Sequence, residues 1–448
     1  MPKQLEVWLL GQHIGSLMQM DGRLAFAYAA PWLQQAAATG GEGMALSQSL
    51  PLRPEPFDDR ATRPFFAGLL PEGEQRRLVA KVLQASRQND FALLDGIGGE
   101  CAGAVTLLPP GLSPGEWPSL AAADPSAETV RWLDEPALRQ LLDDMPQRPM
   151  LAGQEGLRLS LAGAQDKLPV VVQGARIGLP LNGAPSTHIL KPPIPGVDGS
   201  VFNEAFCMTL ASALKRTVAP VQIVPVAGTL VLRVQRYDRV TAAGATHARR
   251  LHQEDFCQAL GVPPEHKYQN EGGPDLAQCF ALLRRATRPS APHVLALLDA
   301  VVFNALIGNH DAHGKNFSLL YGARGAGLAP LYDLLSTAVY PRLTEKMAMK
   351  LGGRYRFSEV MARHWGQFAS EAGLSPAQVR KRVLDIANRL PGLAREILAG
   401  FDTHGYGHPV LNQIVALVEQ RCALTTRRLT EADIAPDSAS DVPPSESP

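Results

Sequence analysis

Apolar and polar positions alternate at the start of the chain. Leu5-Glu6-Val7-Trp8-Leu9 and Arg23-Leu24-Ala25-Phe26-Ala27-Tyr28 carry the period of two that predicts strands, each with one buried face. Gly11-Gln12-His13 reads as a turn, so residues 1–30 are expected to form a β-meander. A further short strand is expected near Leu50-Pro51-Leu52. From Glu72 to Gln88 the pattern becomes helical, with Leu78, Val82 and Leu83 on one face. Ile97-Gly98-Gly99-Glu100 breaks it, and Ala102–Leu108 has the look of a closing strand.

Pro109 to Pro125 is rich in Pro, Gly, Ser and Ala and reads as a linker or a surface excursion, followed by a short amphipathic helix over Glu135–Met145. Arg158–Ile194 alternates β runs with Gly-Pro turns, Val201–Lys215 is helical, and Val221–Arg236 returns to β. From Gln253 to about Leu429 the pattern is mainly helical, and Val294–Ile307 is apolar all round, as in a buried helix. No internal repeat is visible. The expected division is an N-terminal α+β subdomain over 1–110, linker and short helix over 111–150, a β-rich lobe with a phosphate loop over 151–239, a helical lobe with a catalytic loop over 240–430, and a tail over 431–448. Overall this is an α+β protein with a bilobal enzyme layout, a layout many folds share, so the chemistry has to come from motifs.

Composition adds boundaries. With 448 residues, 45% hydrophobic and 19% charged, the chain can bury large cores without disulfides. Its five cysteines are odd in number, scattered and free of any CxxC pair, which argues against a disulfide framework or a Cys-rich zinc site and fits a reducing cytoplasm. The N-terminus is too short and polar in its apolar run for a secretory signal, and no stretch approaches the ~18 apolar residues of a membrane span, so no membrane role is expected. Lys+Arg and Asp+Glu both number 43, which argues against coating nucleic acid by bulk electrostatics. Five of the acids lie in 431–448, a Pro- and Ser-rich stretch without a base that is expected to be disordered. The rest of the chain then carries 43 bases against 38 acids, which leaves room for modest contact with a DNA backbone.

The strongest motif is Ile307-Gly308-Asn309-His310-Asp311-Ala312-His313-Gly314-Lys315-Asn316-Phe317. An Asp with an Asn five residues on, between a buried helix and a short strand, is the arrangement of a kinase catalytic loop: the Asp orients and deprotonates the attacking hydroxyl, and the Asn carbonyl binds Mg²⁺. Lys315 between them could stabilise the transferring phosphoryl group. On these residues alone two other readings stay open, a divalent-metal hydrolase using His310, Asp311 and His313, and a polar loop with capping roles. Asp333, in Leu331-Tyr332-Asp333-Leu334 and 22 positions after Asp311, supplies the second carboxylate that a phosphate-bridging Mg²⁺ needs. Ser160-Leu161-Ala162-Gly163-Ala164-Gln165-Asp166-Lys167 could bring backbone N–H groups to phosphate oxygens, although a plain hairpin fits its residues equally. Thr187-His188-Ile189-Leu190-Lys191 is a strand ending in a Lys that can reach phosphates if Glu204 holds it, and Val234–Arg239 ends the β-rich half where a hinge would meet an adenine edge. The joint order of these pieces carries the kinase reading.

The sequence resembles the HipA-type serine/threonine kinases, toxins of bacterial toxin–antitoxin pairs, over about residues 3–429. The resemblance lies in Phe65–Gly73, Ile97–Val105, Leu161–Lys167, Thr187–Lys191, Asn203-Glu204, Arg236–Arg239, Gln253–Asp255, Lys267-Tyr268 with Gly272-Gly273-Pro274, and the Asp311–Asn316 loop. It implies a bilobal protein-kinase-like fold with an extra N-terminal α+β subdomain, Asp311 as catalytic base, and Asn316 and Asp333 as Mg²⁺ ligands. The ATP-binding set would be Ala162, Gly163, Ala164, Gln165 and Lys167 in the loop, Lys191 with Glu204, Gln235 to Tyr237 (through Arg236) at the adenine, and His313 beside the catalytic loop. Position 235 is Gln where the family often has an acid. The family phosphorylates a protein serine, an aminoacyl-tRNA synthetase being the known kind of target, and a serine of its own phosphate loop, here Ser160, where a dianion would repel ATP phosphates. Its usual partner is a small helix-turn-helix antitoxin, HipB-like, through which DNA is met indirectly. A catalytically silent co-repressor and a small-molecule phosphotransferase are the other functions the motifs allow.

Overall fold

In a computed structural model, which describes residues 3–38, 44–114, 129–154, 156–241 and 248–431, the meander consists of Lys3–Leu9 (β1), Gln12–Met20 (β2) and Arg23–Tyr28 (β3). Val105–Leu108 (β4) closes antiparallel on β1, giving the order β3-β2-β1-β4. Alternation puts Leu5, Val7, Leu9, Leu17, Leu24 and Phe26 on the buried face, against Phe65 and Phe66 of helix Asp59–Gly68. The first turn lies at Leu10-Gly11, both at positive φ, one residue earlier than expected, because Gln12 and His13 already pair with Leu9 and Trp8. Leu50–Leu52 is not a strand: Ser47 and Leu50 make an isolated bridge, and Pro51 has no N–H to extend a ladder. The helix expected over 72–88 spans Gly73–Val82, and a separate helix, Asp90–Ile97, starts where the Asn89 side chain accepts from Ala92 N–H.

The second sheet is built from Val130–Leu133 (β5), Leu168–Gln173 (β6), Arg176–Pro180 (β7), His188–Lys191 (β8), Val221–Val226 (β9) and Thr229–Gln235 (β10), in the order β5-β7-β6-β8-β10-β9. The expected linker therefore ends early. β5 is an edge strand of this sheet, and Leu141 and Met145 of the helix after it pack into the same core as Leu168, Leu190 and Val231. The apolar face of a four-residue strand is too short to register as a pattern without its partner β7. Residues 115–128 of that stretch, and the tail from 432 onward, lie outside the described residues.

Helix Ser200–Ala213 packs on β9 and β10 and joins the large core of the C-terminal lobe. That lobe is organised around Ala291–Ile307, where every residue from Leu297 to Ile307 is buried, as its all-round apolar pattern requires. Pro376–Thr403 and Pro409–Glu431 flank it. The lobe is not purely helical: His252–Asp255, Ser318–Gly322 and Gly325–Leu328 form a small antiparallel sheet that carries the chain out of the Asp311 loop. Among the described residues no helix is long and apolar enough to cross a membrane.

Buried charge clasps the N-terminal subdomain to both lobes. Glu100 receives Arg239 at 2.8 Å, Arg236 at 3.2 Å, Arg250, and the Ser186 N–H at 3.0 Å. Burial alone would raise its pKa, but the three guanidiniums hold it far below the usual carboxylate range. Glu254 accepts from Gln48 N–H at 3.0 Å and from Ser47 and Tyr321, and burial pushes its pKa up to about 7.

Candidate active site

Gly308 ends helix Ala291–Ile307 in the left-handed region, at φ 78°. A Cβ there would come within 2.7 Å of Ala338 and Leu417, so glycine is needed for both conformation and space. The chain then enters the loop under tight control. Asn309 bonds Asn304 at 2.8 Å and accepts the Asp311 N–H at 3.1 Å, while His310 N–H donates to Thr337 Oγ1 at 2.8 Å. Asp311 Oδ1 accepts the Tyr268 hydroxyl at 2.7 Å. Burial raises the Asp311 pKa; the Tyr268 bond and Lys267 oppose it.

Asp333 adopts a left-handed conformation at φ 59°, strained for a non-glycine residue, and its carboxylate turns back toward Lys191 and Asn316. It is held there by its neighbours: Leu331 bridges Val218, and the Tyr332 hydroxyl donates to Lys315 O at 2.7 Å. Lys191, at the end of β8, places its Nζ 2.7 Å from both Glu204 Oε1 and Asp333 Oδ1. Burial would lower the Lys191 pKa, but Asp333 and Glu204 outweigh it and keep the ammonium charged. The Lys191 ammonium, and Lys167 beside it, hold Asp333 well below the usual range against burial. Asn316 Nδ2 donates to Asp333 Oδ2 at 3.2 Å, and Asn316 Oδ1 is buried without a hydrogen-bond partner. A free carbonyl oxygen beside a carboxylate is a donor set that suits a hard divalent cation.

The segment Ser160–Lys167 is not a hairpin. It runs alongside the N-terminal subdomain, with bridges from Glu100 to Leu159 and from Pro71 to Gly163. Gly163 has φ 108°, and a Cβ on it would lie 2.5 Å from Lys167 Nζ, which donates to Ala162 O. Burial and nearby Lys191 bring Lys167 down to about 8. Ala162, Ala164 and Gln165 complete the loop, Ala164 exposed. Ser160 is fully buried and donates its hydroxyl to Leu69 O at 2.7 Å.

Other expected residues have their side chains engaged within the protein. The Arg236 side chain is buried on Asp238, Glu100, Ser186 and Cys101 O, because a guanidinium placed between two buried carboxylates is captured by them. Gln235 is exposed at the end of β10, its N–H donating to Pro220 O, and Tyr237 stacks on Tyr332 with centroids 5.6 Å apart. Lys315 is buried and turned away from Asp311, 2.8 Å from Asp255 and 3.2 Å from Gly68 O. His310 and His313 do not assemble a metal triad with Asp311. His310 bonds Thr344 O at 2.9 Å and Arg421 at 3.0 Å; His313 lies edge-on to Tyr268, and burial brings it down to about 3. Among the described residues no three His, Cys, Asp or Glu side chains cluster as a metal site. Tyr268, Lys267, Glu72 and Asn203 belong to the site's framework, although their patterns assigned them no role. Asn203 exchanges bonds with Ser336 N–H (2.7 Å) and O (2.9 Å), pinning the Glu204 helix to the segment after Asp333.

Comparison with known proteins gives a consistent result. Residues 159–393 match the HipA-like C-terminal domain, and residues 5–108 the HipA N-terminal domain. A Sinorhizobium fredii protein, Y4mE, whose name assigns it provisionally to the kinases, is 50% identical over 386 residues, 86% of this chain and 89% of that one. The serine/threonine-protein kinase toxin HipA of Shewanella oneidensis is 29% identical over 409 residues, 87% of this chain and 89% of that one. A solved structure of Shewanella oneidensis HipA, in complex with HipB and operator DNA, is similar over 96% of this chain and 99% of that one, with a TM-score of 0.80 and 27% identity.

Proposed function

This chain belongs to the HipA family, and we propose that it is an ATP- and Mg²⁺-dependent serine/threonine protein kinase acting as the toxin of a toxin–antitoxin pair. The observation that carries the reading is the meeting of Lys191, Glu204, Asp333 and Asn316 at one point of the cleft, with Asp311 anchored on the same short loop as Asn316. Lys191, held by Glu204, would bind phosphate oxygens, and the Asn316 carbonyl with the Asp333 carboxylate would hold the divalent ion. Bound Mg²⁺–ATP supplies the phosphoryl group and neutralises its charge. Asp311, oriented by Tyr268, would accept the proton of a serine hydroxyl; its raised pKa suits a base that takes a proton and gives it up again. Gly163 and its neighbours would offer backbone N–H groups to phosphates, with Lys167 beside them.

Ser160 is the proposed site of self-modification. Its hydroxyl is fully buried under Leu69, and a phosphate dianion cannot occupy that place, so modification would expel the loop and remove the phosphate cradle. The proposed target is a protein serine, with an aminoacyl-tRNA synthetase as the class the resemblance implies. The proposed partner is a HipB-like helix-turn-helix antitoxin that carries the DNA contact; the complex of the Shewanella oneidensis relative with HipB and operator DNA supports that part of the reading. The test is phosphosite mapping by mass spectrometry after brief induction of wild type and Asp311→Asn, with metabolite profiling alongside. Phosphoserine on a protein target and on Ser160, in wild type only, is expected. No phosphate on either, or phosphate confined to a metabolite, overturns the proposal.

A further inference from the structure

We propose that Glu72, contributed by the N-terminal subdomain, is a positioning residue that ties the phosphate loop to the Asp311 loop and keeps the base free. The inference rests on the kinase reading for its activity readout. Residues Leu69–Glu72 run between the two loops. On one side the contacts are to backbone: Ser160 donates to Leu69 O at 2.7 Å, and Glu72 N–H donates to Gly163 O at 3.0 Å. On the other side they are made by the Glu72 carboxylate, 2.7 Å from Lys267 Nζ and 3.7 Å from Lys315 Nζ.

Glu72 stands at the N-cap of helix Gly73–Val82, yet its side chain makes no capping bond there. The carboxylate is turned instead onto Lys267 and Lys315, far away in sequence, and its Oε1 is buried without a hydrogen bond. Burial works against its charge, and Lys315 and Lys267 overcome it, so it is a carboxylate. Both lysines belong to the segments that hold Asp311, and the Lys267 charge acts on its carboxylate. Lys267 precedes Tyr268, whose hydroxyl orients Asp311 at 2.7 Å, and Lys315 lies between Asp311 and Asn316. Without the Glu72 charge, Lys267 loses its ion-pair partner, and Asp311 is the neighbouring carboxylate open to it. An ammonium on Asp311 would occupy the lone pair that must take the substrate proton.

The test is a double-mutant cycle in the full chain. Glu72→Gln should lower kcat about 10- to 100-fold, with the KM for ATP changed by less than about twofold, since the phosphate-loop contacts are made by backbone. Adding Lys267→Met to Glu72→Gln should cost nothing further or restore activity, because no free ammonium remains to capture Asp311. Hydrogen exchange should quicken over 264–275 and 309–317 in Glu72→Gln and stay unchanged over 160–167. Additive losses, a rise in KM alone, or unchanged exchange at both loops overturns the proposal. If wild type transfers no phosphate while the exchange pattern responds as described, the kinase reading falls and the coupling stands. Should the Gln variant fail to fold, Glu72→Asp, one methylene short of bridging both lysines, enters the same cycle.

Discussion

Lys191 is the pivot on which lobe contact, charge and chemistry meet, and replacing it has a calculable consequence. In wild type one ammonium serves two carboxylates, each at 2.7 Å. Lys191→Met keeps the length of the side chain but leaves Glu204, 5% exposed, facing Asp333 with no compensating ammonium at contact distance. Breaking a buried pair from one side costs about 3–5 kcal/mol. Most of this is assigned to Glu204, because Asp333 is 38% exposed and solvent screens it. For a lobe of this size the loss corresponds to a fall in Tm on the order of 10 °C. Glu204→Gln in the same background removes the stranded charge and should recover about half of the loss or more. The pH dependence has a definite sign. A stranded, buried Glu204 has its pKa raised above the unfolded value, so protonation relieves it at low pH. The deficit relative to wild type should be small near pH 5.5 and grow toward pH 8. Calorimetry of the wild type, the single and the double variants across that range is the assay. A Lys191→Met protein as stable as wild type at pH 8, or a double variant no better than the single, would refute the reasoning.

Three further outcomes are expected. Asn316→Ala removes the unpartnered carbonyl oxygen and should raise the Mg²⁺ concentration for half-maximal phosphotransfer about tenfold or more; an unchanged Mg²⁺ titration would contradict the assignment. Ser160→Ala loses one buried hydrogen bond, worth about 1 kcal/mol, and cannot carry the inactivating phosphate proposed for this serine, so on that proposal it should be more toxic than wild type at equal expression, judged by growth after induction. Glu254, with its pKa raised to about 7, contributes stability at low pH that is lost as pH rises through about 7; Glu254→Gln should flatten that dependence, and thermal melts between pH 6 and 8 that stay parallel for the two proteins would count against it.

Some of this protein was legible residue by residue. Helix Ala291–Ile307 announces itself because a helix buried on every side must be apolar on every side, and the meander does so because one wet face and one dry face impose a period of two. Asp311 and Asn316 were legible as a pair because one short loop carries both, and the glycine that opens the loop marks the end of the helix before it. What the chain's pattern cannot carry is which charge meets which. Lys191 and Asp333 are 142 residues apart and Glu72 and Lys267 are 195 apart, and neither distance leaves a periodic trace. An arginine in a hinge-like string looks the same whether it faces a ligand or, as Arg236 does, is locked on Asp238 and Glu100. Lys315 likewise reads as a phosphate-facing group beside its neighbours, yet Asp255 and Gly68 claim it once the N-terminal subdomain is docked. Local elements follow from burial periodicity, which each segment carries by itself. The partners of buried charges follow from desolvation, which exists only after the subdomains have closed over them.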